Sequence, residues 1–304
     1  MNAEFQHVSR TWTGVVVWLA AVLLVFVKPL VALTRLALSN ENASHTLLIP
    51  LIVAWLLYVD RKLIFSRPER DLVAGILFVI GAMGAVAWAY YSETRLDSPD
   101  ALTYYTLAFV LACVAGFAFT FGRRTLRSGS FPLSFLFLLV PWPSFVLDPV
   151  ISYLQHGSAE IAAAIFDISG VPVLREGLVF HLSRASIEVG PECSGIRSSM
   201  ALLVLALLVS HLAFRPFWKK GLFVAAGLVM MIVKNGVRIA TLTLLANYVD
   251  PGFLYGNLHR EGGIVFFLIG LALLLPVYWL LKRGEGGVEV AERLPRLGPQ
   301  GESL

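Results

Sequence analysis

The stretch EVGPECSGIRSSMALLVLALLVSHLAF, Glu188 to Phe214, decides the fold. From Gly195 to Phe214 it is apolar over about the 20 residues that a helix needs to cross a bilayer. Backbone placed in hydrocarbon must satisfy its own hydrogen bonds, and a helix does so. Comparable runs extend over Trp12 to Leu33, Leu72 to Tyr91, Ala101 to Phe121, Gly221 to Val249 and Gly263 to Leu281. Two further runs are less regular. Thr46 to Val59 is short and contains Pro50, and Phe131 to Val150 is interrupted by Pro141 and Pro143, so each either spans or re-enters. The expectation is an all-α polytopic membrane protein with about eight transmembrane helices.

Composition agrees. The 304 residues are 57% hydrophobic and 14% charged, against roughly a quarter charged in a soluble domain. The first run follows Arg10, exceeds a signal-peptide core and lacks a small-residue cleavage site, so it reads as a retained anchor. Basic residues gather in alternate loops: Arg61, Lys62, Arg67 and Arg70; Arg123, Arg124 and Arg127; Arg215, Lys219 and Lys220; Lys282, Arg283, Arg293 and Arg296. Cytoplasmic loops carry such an excess, which puts both termini in the cytoplasm. The net charge of +4 follows from this bias and calls for no nucleic acid. Residues 1–284 read as an integral membrane catalytic domain. The polar, Gly/Pro-marked segment 285–304 reads as a disordered cytoplasmic tail.

The longest stretch between spans, within 150–192, falls on the outer face under this orientation. VISYLQHGSAEIAAAIFDISG has the spacing of an interfacial helix ending at Gly170. VPVLREGLVFHLSRASIEVG carries β-favouring residues about a Glu176-Gly177 turn, as a hairpin does. A small extracytoplasmic helix-plus-hairpin cap therefore leads into Cys193.

Cys113 and Cys193 are the only cysteines, and Cys113 falls within a span. A disulfide between them is not expected, and no CxxC pair points to thiol oxidoreductase chemistry. A helix beginning near Cys193 would aim unpaired N–H groups and its positive dipole end at the sulfur, favouring thiolate. Arg197, four residues on and on the same helical face, adds to this effect, and Glu192 opposes it. The plain alternative is a small buried residue at a helix end. Within MIVKNGVRIATLTLL, Lys234, Asn235 and Arg238 lie in an otherwise apolar span, where ionisable groups are costly and mark sites by default. Asn235 and Arg238, three apart, share a face. Lys234 has the alternative of pairing with a helix carbonyl. His259, before the last span, can serve as a base for the thiol and an acid for a leaving amine. His45, beside Ser44, is the rival base, and His181 is another. No His/Cys/acid spacing suggests a metal, and the chemistry calls for no cofactor.

Taken together, SHTLLIP, FPLSFLFLLVPWP, LQHGSAEIAA, IEVGPECSGIR, NGVRI and His259 resemble, in this order, the exosortase/archaeosortase family of membrane cysteine transpeptidases. The resemblance covers Ser44 to about Leu281, and ECSGIR is its specific element. It implies that Cys193 is the nucleophile, Arg238 a catalytic partner and His259 the third member, the His resembling the bacterial exosortase branch. Thr46 stands where a Gly is more usual. The resemblance further implies an inner-membrane enzyme with its site on the extracytoplasmic face. Its substrates would be exported proteins with a C-terminal sorting tail of the PEP-CTERM kind: a motif, a transmembrane helix and a basic end. A thioacyl intermediate would pass to water or to a lipid or glycan-linked amine. Two other classes compete on the residues alone: a transporter or flippase in which Lys234 and Arg238 bind an anionic lipid or solute, and a membrane acyltransferase using His259 or His45.

Overall fold

In the computed structural model the described residues are 2–39, 41–65, 70–92, 98–184, 186–190, 195–254 and 262–283. They form two compact units, Met1–Ser144 and Phe145–Gly287. The first contains α1 (Asn2–Val25), α2 (Val27–Ser39), a 3-10 helix (Glu41–Leu47), α3 (Ile49–Val59), α4 (Arg61–Ile64), α5 (Leu72–Tyr91), α6 (Pro99–Ser128) and α7 (Ser130–Phe135), which runs on into a 3-10 turn (Leu136–Leu139). Helix starts are fixed locally. Asp71 caps α5 by accepting from the Ala74 N–H at 2.9 Å, and Ser98 caps α6 ahead of Pro99 by accepting from Ala101. Each side-chain oxygen satisfies an N–H that the helix itself leaves open. α5 packs along α6, and α1 crosses α6 where Gly116 leaves room for the Trp18 ring. There the indole Nε1 donates to the Ala112 carbonyl at 2.9 Å.

The second unit contains α8 (Ser144–Ile168), strands β1 (Leu174–Glu176), β2 (Val179–His181) and β3 (Ser186–Glu188), then α9 (Ile196–Ala213), α10 (Phe217–Tyr248), a 3-10 turn (Pro251–Leu254) and α11 (Gly263–Lys282). α9, α10 and α11 pack against one another. The strands make one antiparallel sheet in the order β1-β2-β3. Leu174 pairs with His181 and Val179 with Glu188. Gly177, at φ 63°, makes the turn that the sequence placed there, and β3 adds a strand beyond the expected hairpin. The sheet's inner residues Phe180, Ile187 and Val189 bury against Ala159, Ala162 and Phe166 of α8 and Ile239 and Ala240 of α10.

By length and composition, five helices among the described residues can cross a membrane: α5, α6, α9, α10 and α11. Counting each bent pair as one span gives up to seven, against the eight read from the sequence. The first apolar run is not one straight helix, because α1 and α2 meet at 71°. The run at 43–59 is a shorter apolar helix. The run at 131–150 breaks at 140–143. Pro disfavours helical backbone at the residue before it and donates no N–H, and Val140 accordingly turns to ψ 118° ahead of Pro141. α8 then starts at Ser144, earlier than the expected 150, and runs through Pro149. The spans expose apolar side chains such as Leu77, Ile80, Leu268 and Leu275, a surface matched to lipid. The chain is thus a multi-pass, predominantly helical membrane protein.

Candidate active site

The segment after Cys193 is fixed by a glycine. Gly195 caps α9 at φ 65°, ψ 23°, a left-handed conformation that costs any L side chain roughly 1–2 kcal/mol. Its carbonyl opens the helix, accepting the Ser199 N–H at 2.9 Å and the Ser198 hydroxyl at 3.1 Å. A Cβ at Gly195 would lie 2.5 Å from the Asn235 Oδ1 and 2.9 Å from its Cγ. Glycine is therefore required twice, for its backbone and for its seat against α10. On the other side the Asn235 Nδ2 donates to the Ser158 hydroxyl of α8 at 3.0 Å.

Lys234, next along α10, is 1% exposed. Its stem lies along Gly270 of α11, and its ammonium donates to the Ser198 Oγ. A buried ammonium is tolerable only with hydrogen-bonding partners. The hydroxyl that accepts from Lys234 is the one that donates to the Gly195 carbonyl.

The approach to Cys193 from the other direction is also held. Buried Val189 donates its N–H to the Leu178 carbonyl at 2.9 Å, and its own carbonyl accepts from the Gln155 Nε2 at 2.9 Å. Cys193 follows Val189 by four residues and precedes Gly195 by two.

Arg238 stands one turn beyond Lys234 on α10 and is half-buried. The sheet packs on its neighbours Ile239 and Ala240. Further along, the Asn247 Oδ1 accepts from the Arg184 N–H at 3.0 Å and the Ser183 hydroxyl at 3.2 Å, tying the β2-β3 loop to the same end of α10. The chain between Leu254 and Gly262 starts and finishes at that end too, because α10 and α11 run antiparallel. Their opposite ends meet where the Lys219 ammonium donates to the Leu281 carbonyl at 2.7 Å.

Of the residues singled out in the sequence, Cys193, Glu192 and His259 lie outside the described residues. Asn235 is brought against the Gly195 turn, and Arg238 follows it on the same helix. Arg197 is exposed in the first turn of α9. α9 starts at Ile196, not at Cys193, so the four-residue spacing that would place Cys193 and Arg197 on one helical face does not apply. Ser44 and His45 belong to the first unit, half-buried in its 3-10 helix. His181 engages the Ser186 hydroxyl at 2.9 Å on the sheet, with Glu176 at 3.7 Å. Cys113 is a free thiol in α6. Gly195, Ser198, Ser158, Gln155 and Asn247 complete the setting. Only Gly195 carried a signal legible beforehand, a glycine at the start of an apolar run. The others are small polar residues whose partners lie 34 or more positions away.

The Lys234 ammonium and the positive end of α9 thus meet at the Gly195 turn, with Arg238 one turn further along α10. That arrangement suits an anion. The transmembrane exosortase family model (Exosortase_EpsH) matches residues 37–276. No match is found among curated proteins or among solved structures. The matched range takes in the Ser44-His45 element, the Cys193 segment, the Lys234 to Arg238 stretch of α10 and His259, and with most of its length inside that range the chain belongs to the transmembrane exosortase family.

Proposed function

We propose that this exosortase is a membrane cysteine protease or transpeptidase that cleaves C-terminal sorting tails from exported proteins. The observation that carries the reading is the seating of the Gly195 turn, two residues after Cys193 in sequence, against Asn235 and Lys234 of α10, the helix that also bears Arg238. In the reaction, the Cys193 thiolate attacks the scissile carbonyl carbon, and the carbon–oxygen π pair moves onto oxygen. The Arg238 guanidinium stabilises that oxyanion. On collapse the carbon–nitrogen bond breaks, and the departing tail amine takes a proton from His259. The thioester left on Cys193 is then attacked by water or by an amine on a lipid or glycan acceptor. His259 takes the attacking group's proton and the thiolate is released.

The sheet, the Gly195 turn and both ends of the 254–262 connection lie at one end of the second unit. Lys219, Lys220, Lys282 and Arg283 lie at the other. The basic end faces the cytoplasm by the loop-charge rule. The site accordingly opens on the extracytoplasmic face of the inner membrane, and both termini are cytoplasmic. A substrate tail with its own transmembrane helix and basic end would lie alongside in the same orientation.

The test is to incubate the purified protein in membranes with a tail-bearing substrate and search for a thioester-linked peptide on Cys193 by mass spectrometry. Cys193→Ala is expected to lose cleavage by 1,000-fold or more, on the order of what removing a nucleophile costs. Cleavage retained in Cys193→Ala would end this reading.

A further inference from the structure

α2 carries two cations, Lys28 and Arg35, and no acidic residue. Neither cation has a part in the reaction described above. Seven positions apart, they fall on one strip of the helix, two turns from each other, and both side chains are exposed. Beside them runs a second exposed strip, Val27, Val31 and Leu38. The remaining face, with Pro29, Leu33 and Ala37, is buried, and α2 packs on the 3-10 helix Glu41–Leu47 and on α6. Three such sectors suit a helix lying in a membrane interface, with one side against protein, one in the acyl boundary and one at the level of the headgroups.

The position of α2 agrees. Trp18 of α1 meets Ala112 and Gly116 of α6, whereas Phe26, further along α1, meets Phe109, earlier in α6, at 5.9 Å between ring centroids. α1 therefore runs antiparallel to α6 and delivers the chain toward its Pro99 end, away from the exposed Arg123, Arg124 and Arg127. The loop-charge rule puts that arginine end in the cytoplasm, and α2 accordingly lies on the outer side. At 1.5 Å per residue α2 is about 20 Å long, and at 71° to α1 it advances only about 6 Å along the direction of α1. It lies across the membrane edge rather than through it. Lys28 and Arg35 thus run counter to the charge bias of the loops, and the anionic complement available at that level is lipid phosphate. We propose that α2 is an interfacial helix whose Lys28 and Arg35 bind the headgroups of anionic phospholipids in the outer leaflet, steadying the 3-10 helix that carries Ser44 and His45. The inference uses the membrane orientation and is independent of Cys193.

For the test, Leu38→Cys in a Cys113→Ala, Cys193→Ala background puts a single bimane fluorophore on the apolar strip, one turn from Arg35. The full-length protein is reconstituted in mixed phosphatidylcholine and phosphatidylglycerol vesicles in which one lipid or the other has brominated, quenching chains. At low salt phosphatidylglycerol is expected to be preferred about tenfold, from two cations contributing about fivefold each less partial screening. In about 0.5 M KCl the preference should fall below about threefold. Lys28→Gln combined with Arg35→Gln should bring it within about twofold of unity, whereas Arg123→Gln combined with Arg127→Gln should leave it unchanged. Inorganic phosphate at about 10 mM and matched ionic strength should not compete; abolition of the preference by phosphate would mark a free-anion site and overturn the lipid assignment. Equal quenching by the two lipids, or a preference that survives the Lys28, Arg35 double variant, would also overturn it. So would the absence of quenching by either lipid, which would set this strip against protein. Should the double variant not accumulate, a preference that ignores salt would overturn the proposal equally.

Discussion

Gly195 shows how much one residue contributes to the site. Its left-handed backbone and its contact with Asn235 leave no space for a methyl group. Gly195→Ala is expected to cost about 2 kcal/mol or more, from backbone strain together with the displaced amide. A lowered melting temperature in detergent and reduced cleavage would accompany each other. Arg238 supplies a planar fork that a lysine lacks. Arg238→Ala should lower kcat by about 100- to 1,000-fold, the range seen for loss of an oxyanion donor. Arg238→Lys should recover only part of it, measured on the same tail-bearing substrate. A KM change with kcat intact would instead assign Arg238 to substrate binding.

At the scale of elements, α8 and the three-stranded sheet form the support that reaches Val189. Phe180 is fully buried, edge-on to Phe166 at 5.4 Å between ring centroids. Phe180→Ala should destabilise this layer by about 3 kcal/mol or more. Limited proteolysis should then cut within 174–188 while the helices stay protected. The sheet is also clipped to α8 by Arg175, whose Nη2 donates to the Glu160 Oε1 at 2.6 Å. That hydrogen bond and the guanidinium charge hold the Glu160 carboxyl below the usual carboxylate range. A depressed carboxylate contributes its stability above its unfolded pKa and loses it as pH falls through the folded value. Protection factors for amide exchange across 174–181, taken relative to the intrinsic rate at each pH, should therefore hold through the neutral range and fall only once the pH drops below the ordinary carboxylate range. Glu160→Gln should remove that dependence. Because the pair is exposed, its effect on overall stability is small.

For the molecule as a whole, sidedness is the consequential property. Cys193 should react with a membrane-impermeant maleimide added outside spheroplasts, whereas cysteines placed at Lys220 or Arg283 should react only after permeabilisation. The reverse pattern would put the site in the cytoplasm and remove its access to exported tails. Lipid-facing side chains such as Leu77 and Leu268 are exposed in bulk, so conservative apolar changes there should leave activity within about twofold, as substitutions away from packed features do.

The sequence by itself determined the solvent: apolar runs of spanning length and low charge leave a bilayer as the only fitting surroundings. It also marked the thiol, the α10 cations and the Gly177 turn, because each is a local signal. Of the eight runs it read as spans, five are single helices of spanning length among the described residues, since an apolar run reads the same whether the helix is straight or bends, as α1 and α2 do at 71°. It began the α9 run at Gly195, one residue before the helix, and only the fold shows that residue turning left-handed against α10. The partners of Lys234, Asn235, Gln155 and Asn247 were decided by tertiary structure alone. Each is a small polar group that pairs across elements distant in sequence, and such pairing leaves no periodicity in the chain to read.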